Sequence, residues 1–312
     1  MDGILFLFLA FLVAFTSIKL SNYADALNKQ TKLGSVLIGG ILIAAITSLP
    51  EFITCISSVL INNPSLSFGD ILGSNMFNIF VLAVYNIYFF KKNIFESISK
   101  EYIFESIILI LEYLFIILGT SHKFMSLVTI FLFIIYAFYT FVILFFKNGN
   151  SEKEQSTKKV NYVILKFVTS SIILIMLSIL LTLQVDKITH VYPNFSSTSA
   201  GAILLGITTS LPEVVTTFEL FKLNNSNMAI SNMLGSNIFN FLVLGLADIF
   251  VKNGHVYDYS DNYSLMYVYG GVFITFLLLC IILNKNKSKF YYLLISILMS
   301  ISYFLVWYFQ FN

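Results

Sequence analysis

Arginine is missing: all 18 basic residues are lysines. Charge of either sign is scarce, at 11% of the chain, where a soluble domain carries about 25%. That scarcity excludes a solvated globular domain, and no nucleic-acid partner is expected. The two cysteines, Cys55 and Cys280, both lie in apolar stretches, so no disulfide framework is expected. Cys55 reads as a small packing residue one turn beyond Glu51. No His or Cys pair has soft-metal spacing, which excludes a zinc or copper centre. Only Met1 and Asp2 precede the apolar run at 3–18, so that run lacks the basic region of a signal peptide and is expected as a retained first helix.

Apolar sequence, by contrast, is plentiful: 58% of residues are hydrophobic and the mean hydropathy is +0.86. Runs of about 20 residues, enough to span a bilayer, recur along the whole length. Ten spans are predicted, at 3–20, 35–60, 67–90, 101–120, 124–146, 162–183, 197–221, 228–251, 264–284 and 288–310. With the N-terminus outside, all lysines except Lys123, Lys187 and Lys252 fall on cytoplasmic segments. The positive-inside rule therefore predicts a multi-pass protein of the cell membrane, solvated by lipid, with both termini outside.

Four prolines are present, and two of them lie in mid-span beside an acid. Thr47-Ser48-Leu49-Pro50-Glu51 returns 162 residues later as Thr209-Ser210-Leu211-Pro212-Glu213. Gly73-Ser74-Asn75-Met76-Phe77-Asn78 returns at the same offset as Gly235-Ser236-Asn237-Ile238-Phe239-Asn240. Eight of 13 positions between 39 and 51 are identical to 201–213, and eight of 11 between 72 and 82 match 234–244. The chain thus divides into a first five-helix repeat (1–149, motif 39–82), a charged cytoplasmic linker (150–160) and a second five-helix repeat (161–312, motif 201–244). Five crossings is an odd number, so the second repeat enters from the opposite side. The predicted fold is an all-α integral membrane protein of ten transmembrane helices, built as two inverted five-helix repeats with broken helices meeting at the midplane.

Proline removes a helix hydrogen bond, so Pro50 and Pro212 should free backbone oxygens near Ile46–Thr47 and Thr208–Thr209. Unpaired carbonyls at that depth must be buried in protein or line a cavity. Thr47 and Glu51, Ser74 and Asn78, Thr209 and Glu213, and Ser236 and Asn240 are each four residues apart and share a helix face. An intramembrane acid marks an ion pathway by default, and two carboxylates with amide and hydroxyl oxygens suit Ca²⁺ or Na⁺. One Ca²⁺ or two Na⁺ would balance Glu51 and Glu213. Asn75 and Asn237 lie one residue off that face and are expected to bond the broken backbone of the neighbouring hairpin. Gly39, Gly40, Gly73, Gly201 and Gly235 are read as small residues for close packing or bending. Asp70, near the outer end of its span, reads equally as an acid that draws in cations or as a hydrated helix-end residue. Glu219 is read as structural, and Glu112 and Asp248 as interfacial.

The paired T-S-L-P-E and G-S-N-x-F-N phrases resemble the two alpha-repeats of the cation/Ca²⁺ exchanger superfamily, in its Na⁺/Ca²⁺ exchanger branch. The Asn-Ala-Thr-Glu-like run of the proton-coupled carriers is absent. The resemblance implies that Glu51 and Glu213 share Ca²⁺ and Na⁺. It further implies that Thr47, Ser48 and Ser74 serve one flanking Na⁺ site and that Thr209, Ser210 and Ser236 serve its mirror. Asn78 and Asn240 would stand beside the glutamates, and the first and sixth spans would slide to alternate access. Two departures are visible: Ile46 and Thr208 replace the family's usual glycine, and Asn240 replaces the acid of many relatives, which implies K⁺-independent exchange. The expected activity is secondary Na⁺/Ca²⁺ antiport, with no enzymatic chemistry and no cofactor beyond the transported ions. An H⁺-coupled divalent-cation antiporter of the same fold is the alternative, ahead of a cation channel. The sequence leaves the oligomeric state open, a monomer being enough.

Overall fold

The computed structural model describes residues 2–31, 34–90, 94, 101–121, 125–145, 157–191, 205–260, 262–284 and 287–311. Among these residues all regular structure is helical. That is the expected outcome for a lipid-embedded chain, because hydrocarbon offers no partner to an open backbone group. In order, the helices are α1 (Asp2–Gln30), α2 (Ser35–Thr47), α3 (Leu49–Leu60), α4 (Pro64–Tyr88), α5 (Glu101–Thr120) and α6 (Met125–Phe145). They continue with α7 (Thr157–Val191), α8 (Leu211–Lys222), α9 (Ser226–Phe250), α10 (Asn262–Leu283) and α11 (Lys289–Phe311). Eight of them are long and apolar enough to cross a bilayer, and α2 with α3, bent by 42°, makes a ninth candidate among the described residues. The predicted seventh span is described only from Leu205 onward, so its first part, with Gly201, lies outside the described residues, as does 150–156 of the predicted linker.

Burial divides the helices by role. In α4 and α9, 72% of the apolar window is buried inside the protein, against 28% in α1, α6 and α11. The outer helices accordingly present large apolar side chains outward, such as Phe8 and Phe11 on α1 and Phe304 and Tyr308 on α11. The polar residues of the second motif ride on the two innermost helices. These helices cross between the chain's halves: α4 packs on α10 and α11, whereas α9 packs on α5 and α6. Side chains at equivalent positions tie the crossings. Asn86 on α4 donates to Ser296 Oγ at 2.8 Å, and Asp248 on α9 accepts from Thr129.

Helices α1 and α7 stand apart from this core, packed chiefly on one another. Both outrun the predicted spans. Helix α1 has 29 residues and α7 has 35, about 44 and 52 Å at 1.5 Å per residue, more than a hydrocarbon core of about 30 Å. Hydropathy marks where the apolar sequence stops, but polar residues such as Ser21 and Asn22 continue the helix beyond it. The 157–160 end of the predicted linker is likewise helical.

Candidate cation site

The two predicted breaks are present, one residue beyond the expected place. Helices α2 and α3 meet at Ser48, whose backbone (φ −88°, ψ 9°) leaves the helical region, and Pro50 lies in the first turn of α3. Proline is tolerated there because a first-turn N–H has no intrahelical partner anyway. Ser210 holds the same conformation (φ −77°, ψ 3°) before α8, with Pro212 in its first turn. Glu51 and Glu213 therefore sit in the first turn of a new helix, where the helix dipole favours a negative charge.

A π-helical turn at Ile38–Ile43, which the sequence pattern did not reveal, precedes the first break. It brings Gly40 against Gly235 of α9 so closely that a Cβ on Gly235 would overlap the Gly40 carbonyl. Backbone contact of that kind needs glycine, and it presses the broken span onto the innermost helix.

The glutamates are held crosswise. Ser48 Oγ donates to Glu213 Oε1 at 2.8 Å, and Ser210 Oγ donates to Glu51 Oε1 at 3.0 Å. Thr47 and Thr209 follow the same exchange, Thr47 lying at Glu213 and Thr209 at Glu51. Their hydroxyl protons go back to their own helices, to Ile43 O at 3.1 Å and Leu205 O at 2.9 Å. The hydroxyl partners of each acid come from the other half of the chain.

Behind the glutamates, α4 and α9 are stitched by four asparagines. Asn75 Nδ2 donates to Asn237 O at 3.1 Å, and Asn237 Nδ2 returns to Asn75 O at 2.8 Å. Asn78 Nδ2 donates to Asn237 Oδ1 at 2.9 Å, and Asn240 Nδ2 to Asn75 Oδ1 at 3.0 Å. This corrects the expectation for Asn75 and Asn237, which bond each other's helix rather than the broken hairpin. It also uses one amide N–H of each of Asn78 and Asn240, whose carbonyl oxygens take no partner among the described residues.

Glu51, Glu213, Ser74, Asn78, Ser236 and Asn240 are all fully buried. Glu51 Oε2, Glu213 Oε2, Asn78 Oδ1, Asn240 Oδ1 and Ser236 Oγ have no hydrogen-bond partner among the described residues. Ser74 Oγ makes only a long bond, 3.4 Å, to Gly206 O. A buried carboxylate oxygen without a partner is costly. Four such oxygens, two anionic and two amide, form a donor set that a hard cation would satisfy. Of the ten predicted residues, Thr47, Ser48, Glu51, Thr209, Ser210 and Glu213 are brought together across the two halves, Asn78 and Asn240 are tied through Asn237 and Asn75, and Ser74 and Ser236 are buried on the same two helices as the asparagines. Ile46 and Thr208 are half-buried, and Ile46 packs against the hydrophobic core.

Other acids fall differently from expectation. Glu112, expected at an interface, is fully buried in mid-helix with both carboxylate oxygens unpartnered. Hydropathy alone does not say which face of α5 turns inward. Glu219 pairs with Lys222 at 3.0 Å, in keeping with a structural role. Asp248, at the end of α9, is bonded to Thr129, His255 and the Val256 backbone. Cys55 is buried with its sulfur 2.7 Å from Ser67 Oγ.

Comparison with known proteins agrees with this arrangement. The family model for sodium/calcium exchanger proteins matches residues 3–142 and 162–312. Inner membrane protein YrbG of Escherichia coli is 24% identical over 286 residues, covering 86% of this chain and 85% of that protein. Uncharacterized membrane protein MJ0091 of Methanocaldococcus jannaschii is 28% identical over 218 residues, covering 69% of this chain and 70% of that one. Among solved structures, the sodium-calcium exchanger NCX_Mj soaked with 10 mM Na⁺ and 10 mM Sr²⁺ superposes with a TM-score of 0.73 at 21% identity, over 97% of each chain. With 10 mM Na⁺ and zero Ca²⁺ the TM-score is 0.72 at 20% identity, again over 97% of each chain. The chain is a multi-pass membrane protein with that fold, and it belongs to the sodium/calcium exchanger family.

Proposed function

From that membership as premise, we propose that the chain is a Na⁺/Ca²⁺ antiporter working by alternating access without K⁺. The observation that carries the proposal is the crossed pair of glutamates, Ser48 to Glu213 and Ser210 to Glu51, with unpartnered oxygens facing inward. Glu51 and Glu213 supply two charges, which one Ca²⁺ or two Na⁺ neutralise. Asn78 and Asn240 complete a central site, with Thr47, Ser48 and Ser74 on one flank and Thr209, Ser210 and Ser236 on the other. Loading by Na⁺ or by Ca²⁺ is then mutually exclusive, because both draw on the same carboxylates. An unloaded site would leave two like charges buried together, which disfavours switching sides empty and enforces exchange over leak.

The same reading takes residues 1–149 and 161–312 as two inverted five-helix repeats, with ten crossings and a cytoplasmic linker at 150–160. Lysine placement supports the outside location of both termini in the cell membrane. The moving element is α1 with α7. These helices pack most on each other; α1 also packs extensively on α8, and α7 meets α3 more lightly. Side-chain ties join α1 to the rest of the protein at three places: Ser21 Oγ donates to Thr216 O at 3.2 Å, Asn28 Nδ2 to Ser35 Oγ at 2.9 Å, and Asn225 Nδ2 to Asp25 Oδ1 at 3.1 Å.

The test is ⁴⁵Ca²⁺ uptake into proteoliposomes under separately imposed Na⁺, H⁺ and K⁺ gradients. Uptake should follow an outward Na⁺ gradient and be indifferent to the other two. Uptake driven by a pH gradient would replace Na⁺ by H⁺ as the coupling ion. A requirement for K⁺ would remove the inference drawn from Asn240.

A further inference from the structure

Outside the crossed site, the innermost helices of the two halves differ at several polar positions, and the one nearest the site is an acid in the first half only. Asp70 on α4 occupies the place that Asn232 holds on α9, and the residues around them differ in step: Cys55 against Thr217, and Ser67 against Ala229. In the second half the position is self-satisfied, because Asn232 Nδ2 donates to Thr217 Oγ1 at 2.9 Å. In the first half the thiol of Cys55 and the hydroxyl of Ser67 pair with each other at 2.7 Å. Asp70 is left fully buried, and neither carboxylate oxygen has a hydrogen-bond partner among the described residues. No described lysine or histidine pairs with it either.

Its location gives that acid a role. Asp70 lies one helical turn from Ser74 on the same face of α4, and its charge is within electrostatic range of Glu51. The other direction along α4 leads through a partly buried first turn to the exposed residues Leu60, Ile61, Asn62 and Asn63. Phe68 makes an edge-on contact, centroids 6.4 Å apart, with Tyr257 of the turn that joins α9 to α10. Ser67, Asp70, Ser74 and Asn78 therefore form a polar line from the face where α4 begins to the central site. The matching line on α9 reads Ala229, Asn232, Ser236 and Asn240 and carries no charge. No three acid, thiol or imidazole side chains converge on a common point among the described residues. A cation beside Asp70 would be held by one carboxylate, with hydroxyls and its own water for the rest, which suits a transit site more than a tight one.

We propose that Asp70 is a transit site for hard cations, Ca²⁺ and Na⁺, on one approach only, the one opening at the face where α4 begins. The proposal rests on the antiport reading of the central site and adds sidedness to it. A fixed carboxylate in a low-dielectric path raises the local cation concentration on its own side; the matching line on α9 has none, and the acids near its start, Asp25 and Glu219, are paired with Lys29 and Lys222.

The experiment measures Na⁺-driven ⁴⁵Ca²⁺ flux in right-side-out and inside-out vesicles from cells expressing the full chain. The variants are Asp70→Asn, which installs the mirror residue, and Asn232→Asp, which adds a carboxylate to the opposite approach. Asp70→Asn should raise the half-saturating Ca²⁺ concentration about tenfold at the α4 face and leave the other face unchanged. Asn232→Asp should lower it at the opposite face alone. Equal shifts at both faces, or none at either, would overturn the proposal, and thermal melting of each variant separates a fold defect from either pattern. Wild-type vesicles without Na⁺-driven Ca²⁺ flux would sink the antiport reading itself, a result separable from the Asp70 pattern.

Discussion

The crossed core and its surroundings obey different rules. At the core the halves match position for position: Ser48 reaches Glu213 as Ser210 reaches Glu51, and the bonds from Asn75 and Asn78 are returned by Asn237 and Asn240. A turn or two away the match fails. Asp70, Glu105 and Glu112 in the first half face Asn232, Tyr267 and Ile274 in the second. Symmetry holds at the two acids, because a change in one copy's serine strands the charge of the other; it is lost at Asn86 and Asp248, although these also bond the opposite half. Where a residue serves only its own half, the copies have diverged. Matched residues should therefore give matched defects, and unmatched residues one-sided or silent ones.

The largest effect is expected at the acids. Glu51→Gln and Glu213→Gln should each abolish Ca²⁺ transport, since breaking a buried charge arrangement costs about 3–5 kcal/mol, more than about a hundredfold in affinity. Robust flux in either variant would refute the shared site. Next come the serines. Ser48→Ala and Ser210→Ala each remove one bond to a carboxylate, worth about 1.5–3 kcal/mol. Their Ca²⁺ affinities should fall by similar factors, and a large defect in only one would break the symmetry.

The asparagine stitch should act on stability. Asn75→Ala or Asn237→Ala removes bonds between α4 and α9 and leaves a buried partner unmatched, at a cost of about 1–3 kcal/mol. Thermal melting should drop alike for both, and the double variant should lose less than the sum because the pair shares one network. The smallest effect belongs to Glu112→Gln, which keeps the shape of a side chain outside the crossed core. Its Ca²⁺ affinity should move by less than about twofold, and a loss like that of Glu51→Gln would bring α5 into the site.

Much of the site could be read in advance, for a physical reason. An acid beside a proline in an apolar span breaks two local rules at once, and such violations gather at functional positions. All ten residues singled out are buried, and the hydrogen bonds bring Thr47, Ser48 and Glu51 together with Thr209, Ser210 and Glu213. What the spacing hid was which partner each would take. Thr47 and Glu51 share a face of one span, yet Thr47 lies beside Glu213 from the other half. The pairing of Asn75 with Asn237 is likewise a consequence of how α4 and α9 cross, which no repeat inside one half encodes. The ends of α1 and α7 escaped hydropathy because polar sequence can stay helical beyond the lipid. The burial of Glu112 escaped it because a window average does not distinguish faces.

The central claim is that one Ca²⁺ is held jointly by Glu51 and Glu213, each steadied by the other half's serine. Equilibrium dialysis with ⁴⁵Ca²⁺ on the purified protein addresses it directly. The wild-type chain should bind a single Ca²⁺ that Na⁺ displaces competitively, and Glu51→Gln and Glu213→Gln should each lose that binding. Retention of Na⁺-sensitive Ca²⁺ binding by either single variant would contradict a shared site and leave each half with a site of its own.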